Sequence, residues 1–144
     1  MGSEKQGSRM REHMMDDHAR LNALIKRLVA AFEANDREDM AKLWTELDTG
    51  LNAHLDAEEK FMFPALAERE PEYVRTLAAE HASIRTALLD LGVRVDLHTI
   101  RLDAANAFLA LLTDHARRED ELLYRWADEH ATPAQKDGVL SRVA

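Results

Sequence analysis

Residues 39–64, DMAKLWTELDTGLNAHLDAEEKFMFP, decide the fold. Met40, Leu43, Leu47, Leu51, His54, Glu58 and Phe61 recur there every three or four positions, the period of a helix that buries one face. Nothing in the stretch alternates with the period of two that marks a strand. Pro64 closes it, because proline has no N–H to continue a helical ladder. The buried stripe is apolar for four turns and then carries an imidazole and a carboxylate, so fold and chemistry share one register.

The same period extends outward in both directions. Upstream it reads Met14, His18, Leu21, Ile25, Leu28 or Val29, and Phe32; downstream, Val74, Leu77, His81, Ile84, Leu88, Leu91 and Val95, then Phe108, Leu112, His115, Glu119, Leu122 and Trp126. Breaks fall at Ala34-Asn35-Asp36, at Pro64 to Pro71, at Asp96 to Thr99 and at Thr132-Pro133, with Asp36 suited to cap a second helix and Pro71 to open a third. Long helices joined by short connections pack against antiparallel neighbours. The expectation is an all-α, up-down-up-down four-helix bundle over residues 10–131, preceded by a disordered segment 1–9 and followed by a short C-terminal helix, 132–144, appended to the bundle.

Composition removes several classes of function. The 144 residues include 27 acidic and 19 basic side chains, a net charge of −8, which argues against attraction to nucleic acid or anionic lipid. The chain has no Cys, so disulfides, thiolate metal sites and cysteine nucleophiles are excluded together. No apolar run is long enough to span a membrane, and the polar start is unlike a secretory signal; the expected compartment is the cytoplasm.

Four inward histidines and two inward glutamates remain to be explained. An ionised carboxylate taken out of water costs several kcal/mol even after relaxation, so Glu58 and Glu119 need compensation, and each follows a histidine of its own stripe by four residues. Axial distance brings all six together. His18 and His54 lie about 17 and 19 residues either side of the first turn, Glu58 and His81 about 12 and 11 either side of the second, and His81 and His115 about 17 either side of the third, at about 1.5 Å per residue. The other histidines fall elsewhere: His13 points away from His18, His98 lies in a loop and His130 is far along the axis, and all three are expected to be solvated. Glu59 and Asp120 turn about 100° off the stripe, which suits a supporting position or a solvated face better than ligation. On a regular helix Tyr124 points away from His115.

Imidazole and carboxylate donors without thiolate suit iron, manganese or zinc. Six donors could saturate one octahedral ion, but two carboxylates, each paired with a histidine, are better placed to bridge two ions. A dinuclear centre is therefore expected, with positions left for an oxo or hydroxo bridge and a small exogenous ligand. A Glu-x-x-His pair of the ferritin type is absent from these stripes.

At these residues the chain resembles the hemerythrin-like family, whose pattern is a lone His, His-x-x-x-Glu, a lone His and His-x-x-x-Glu on four antiparallel helices. Here these are His18; His54 and Glu58 in HLDAEEKFMFP; His81 in EHASI; and His115 and Glu119 in HARREDELLY. The resemblance spans about residues 10–130. It implies two iron ions, carboxylate-bridged, in a centre that reacts with or senses dioxygen, peroxide or nitric oxide. Oxygen-carrying members have five histidines and a His-x-x-x-His pair in the third helix, where this chain has Leu77; the match is closer to four-His, two-Glu members. With four histidines the two ions are expected to be ligated alike, and an oxygenated form to decay rather than persist. Two other functions compete: an iron store or donor for repair of damaged iron centres, although repair proteins usually carry an additional Cys-bearing domain, and a structural bundle without metal.

Overall fold

The computed structural model describes residues 2–97 and 102–143, with side chains from Met10 onward in the first helix. Its order is α1 (Gly2–Glu33), α2 (Arg37–Phe61), α3 (Phe63–Ala67), α4 (Pro71–Asp96), α5 (Leu102–Arg118), a π-helical turn (Glu119–Leu123), α6 (Tyr124–His130) and α7 (Pro133–Arg142). The long helices α1, α2, α4 and α5–α6 form a helical bundle, and no strand occurs among the described residues. No described helix is long and apolar enough to cross a membrane.

Local chemistry accounts for the breaks. Asn35 takes φ 55°, a left-handed conformation that asparagine tolerates better than most residues. Asp36 then accepts a hydrogen bond from the Asp39 N–H at 3.0 Å, capping α2. Pro71 opens α4, where its missing N–H costs nothing. Thr132 and Gln135 form a reciprocal capping box at α7. The backbone of α1 is described from Gly2 onward. His98 lies outside the described residues.

Apolar side chains form two separate cores. One gathers Leu21, Ile25, Leu28, Leu43, Leu47, Leu51, Ile84, Leu88 and Leu112, toward one end of the bundle. The other gathers Met14, Met62, Phe63, Leu66, Leu77, Leu123, Tyr124, Trp126 and Val139, toward the other end. His18, His81, His115 and Glu119 fall between these clusters along their helices, and on α2 His54 and Glu58 stand where one cluster gives way to the other, so an ionisable layer divides the core.

Two sequence expectations need correction. The C-terminal helix is not an appendage: Val139 and Val143 are buried in the second core. It approaches α2 so closely that a Cβ on Gly138 would lie 2.5 Å from Phe61 Cε1, so only glycine fits without displacing the ring. His13 is not fully solvated either, because its Nε2 donates to the Val143 carbonyl at 2.7 Å and ties α1 to this helix.

Candidate metal centre

His18, His54, Glu58, His81, His115 and Glu119 meet in the layer between the two cores, and none is more than 3% exposed. Their ligand-type atoms fall into two groups, each closely clustered: His18, His54, Glu58 and Glu119, and Glu58, His81, His115 and Glu119. Both carboxylates belong to both groups. Glu58 turns Oε2 toward His54 Nε2 (3.4 Å) and Oε1 toward His81 Nε2 (3.1 Å). Glu119 turns Oε1 toward His18 Nε2 (3.2 Å) and Oε2 toward His115 Nε2 (3.0 Å) and His81 Nε2 (3.3 Å). Each glutamate thus offers one oxygen to each histidine pair, the arrangement two cations need if two carboxylates are to bridge them.

The outer ring nitrogens explain the direction of the inner ones. His54 Nδ1 donates to Asp17 Oδ2 at 2.8 Å, His81 Nδ1 to Glu59 Oε2 at 2.6 Å and His115 Nδ1 to Glu80 Oε1 at 2.8 Å. A carboxylate only accepts, so these bonds place a proton on Nδ1 and aim Nε2 inward, as in metal-bound histidines. Arg20 holds Asp17, Arg85 holds Glu59 and Arg118 faces Glu80. His18 is the exception: its Nδ1 is buried without a hydrogen-bond partner.

Electrostatics inside the layer favour ions over neutral groups. Burial works against charge on His54, but the attraction of Glu58 and the hydrogen bond to Asp17 prevail and push its pKa up to about 10. His81 rises to about 10 as well, where burial is outweighed by Glu119 and Glu58. Burial would raise the Glu119 pKa, yet His115, with hydrogen bonds from His115, His18 and His81, holds it well below the usual carboxylate range. The layer therefore stabilises positive charge facing two carboxylates, which either imidazolium protons or metal cations can supply. Glu58 Oε1 and His115 Nε2 lack a hydrogen-bond partner although ionic partners lie near, which fits donors oriented for a cation.

Asp120 stands apart. It accepts from Arg11 Nε at 2.8 Å and Nη2 at 3.2 Å, away from the layer, and the Arg11 hydrogen bond holds its pKa below the ordinary value. His130 is about half exposed beside Glu129.

The largest departure from the sequence reading concerns Tyr124. On a regular helix it points away from His115, and Leu122 fills the core; instead Tyr124 and Leu123 are completely buried. The cause is the π-helical turn, in which the Tyr124 N–H bonds the Glu119 carbonyl five residues earlier. One extra residue in the turn rotates everything after it. Tyr73 from α4 spans this turn, its hydroxyl donating to the Arg118 carbonyl and accepting from the Leu123 N–H. As a result the Tyr124 hydroxyl enters the ionisable layer: it donates to Glu58 Oε2 (2.7 Å), lies 3.1 Å from Glu119 Oε1, and meets His18 Nε2 (2.6 Å) and His54 Nε2 (3.1 Å). Burial, then the charges of Glu119 and Glu58, raise its pKa well above the ordinary phenol value. The surroundings of the two groups are therefore unlike.

Asp17 and Glu80 were also missed in the sequence. The available signal was their position, each immediately before a lone inward histidine. Residues 9–127 match the family model described as the hemerythrin HHE cation binding domain. No curated protein matches the chain. No solved structure matches it.

Proposed function

We infer that this chain, which belongs to the hemerythrin HHE cation-binding family, holds two iron ions between its apolar cores and uses them to bind, sense or consume dioxygen, peroxide or nitric oxide. The observation that carries this reading is the sharing of both carboxylates between the two groups: Glu58 presents one oxygen to His54 and the other to His81, and Glu119 one to His18 and the other to His115 and His81. One octahedral ion would use six donors around a single point, whereas two groups with common carboxylates describe two points. His18, His54, His81 and His115 would ligate through Nε2 and Glu58 and Glu119 would bridge. When bound, the iron pair supplies reversible electron transfer and open positions for a small ligand.

The protein supplies the surroundings. Asp17, Glu59 and Glu80 fix three imidazole rings, and packed leucines on both sides keep the layer from bulk water. Leu77 is fully buried one turn before His81, so the place of a fifth imidazole is aliphatic; this supports short-lived contact with dioxygen over storage of it. Complete burial of both glutamates also favours retained iron over an iron-donating role. Elemental analysis with an optical spectrum of freshly loaded protein tests the reading: about two iron atoms per chain are expected, and saturation at one, or no binding, would overturn it.

A further inference from the structure

Two aromatic residues follow the two bridging glutamates at the same distance, Phe63 after Glu58 and Tyr124 after Glu119. Phe63 stacks near His81, ring centroids 4.9 Å apart, and is wholly apolar. Tyr124 places its oxygen within 3.1 Å of a candidate ligand atom from every member of the group His18, His54, Glu58 and Glu119. It forms no hydrogen bond with His81 or His115. The geometry points to Tyr124 Oη as a further protein ligand, on the iron held by His18 and His54, with the exchangeable position left to the iron held by His81 and His115. This rests on the dinuclear reading above.

Packing alone gives no reason for the hydroxyl. Phe63, at the same interval after Glu58, carries only carbon, whereas the buried Tyr124 hydroxyl is repaid for its lost water by Glu58, Glu119, His18 and His54, every one of them a member of the first group. The fold nevertheless breaks helical register at Glu119–Leu123 and supports the break with Tyr73, and the outcome is a phenol aimed into the layer. The same group contains the histidine whose Nδ1 has no carboxylate, so it is the group with less negative charge behind its imidazoles. A hard oxygen donor suits ferric iron and adds the missing charge. Ligation breaks the phenol O–H bond and forms an oxygen–iron bond; the proton leaves to solvent and no electron changes hands.

The test compares diferric wild-type protein with Tyr124→Phe, counting iron and recording resonance Raman spectra in the visible band of the same samples. Expected are about two irons in each protein and ring modes of a coordinated phenolate in the wild type alone. Azide added to the wild type should then perturb one of two distinct Mössbauer signals. Two irons without phenolate modes in the wild type, or with the modes unchanged in Tyr124→Phe, overturns the proposal and leaves the dinuclear reading standing. One iron in the wild type and two in Tyr124→Phe would mean that the hydroxyl plugs the position, which also overturns it. Fewer than two irons in both proteins overturns the dinuclear reading and the proposal together. The wild-type spectrum decides the ligand question even if the variant is unstable.

Discussion

From His54 to Phe63 and from His115 to Tyr124 the chain runs through one order twice: histidine, glutamate four residues on, a second acid, then an aromatic ring. The structure treats the two stretches differently. After Glu58 the helix stops at Met62 and restarts with Phe63-Pro64; after Glu119 it continues through a π-helical turn. Glu59 reaches across to His81 Nδ1, while its counterpart Asp120 is drawn outward by Arg11. One stretch ends in an apolar ring against a histidine, the other in a hydroxyl among four ionisable groups. Equal spacing in sequence thus produces equal positions for the inward carboxylates, which sit one helical turn from their histidines, and unequal positions for everything beyond the break.

The strongest way to break this comparison is to separate the paired acids. Glu119 belongs to both groups, so Glu119→Ala should lose metal from both, whereas Asp120→Ala should keep about two ions per chain by elemental analysis. The reverse outcome would transfer the bridging role to Asp120.

Removing metal should come next in effect. Chelated protein keeps two buried carboxylates compensated only by imidazolium protons and the Tyr124 hydroxyl, and should melt well below the loaded form. His54 and His81 have folded pKa values near 10 against an ordinary 6.5, so their contribution to the metal-free fold is complete below about pH 6.5 and is lost as pH rises toward 10. Glu119 is shifted down, so its contribution is present above its ordinary value and lost in acid. Metal-free protein should therefore be most stable in mildly acidic solution, as read by denaturant melts across pH; a stability that climbs from pH 7 to 10 would contradict these pairings.

The supporting acids sharpen the comparison more gently. Glu59→Gln removes the carboxylate behind His81 and should weaken metal retention about tenfold to a hundredfold in competition with a chelator. Asp120→Asn should change it little, because no carboxylate stands behind His18. Equal losses would mean that Asp120 acts on the layer despite facing Arg11.

Smallest in free energy is Tyr73→Phe. It removes the hydroxyl that serves the Arg118 carbonyl and the Leu123 N–H, and should cost about 1 kcal/mol of stability in urea melts. The readout that matters is the near-ultraviolet signal of Tyr124: a relaxed turn would change it, and an unchanged signal would show that the turn stands without Tyr73.

By itself the sequence determined the helical class, the antiparallel order and the depth at which six ionisable side chains meet. These follow from a period of 3.6 and a rise of about 1.5 Å per residue, properties of a chain acting on its near neighbours. His18, His54, Glu58, His81, His115 and Glu119 were legible because each occupies an apolar slot in its own helix. Tyr124 was not, since its direction depends on one additional residue in a turn that Tyr73 supports from another helix. Nor could the sequence say that Asp17 holds His54 while Glu80 holds His115, or that Arg11 turns Asp120 away, because each of those bonds joins different helices and only packing decides which side chains come within 3 Å of one another. The C-terminal helix belongs with these: its capping box was written locally, but its place under the bundle was fixed by Val139, Val143 and the close approach of Gly138 to Phe61. Short-range geometry set the positive and negative groups on one level; tertiary contact made the two halves of that level different.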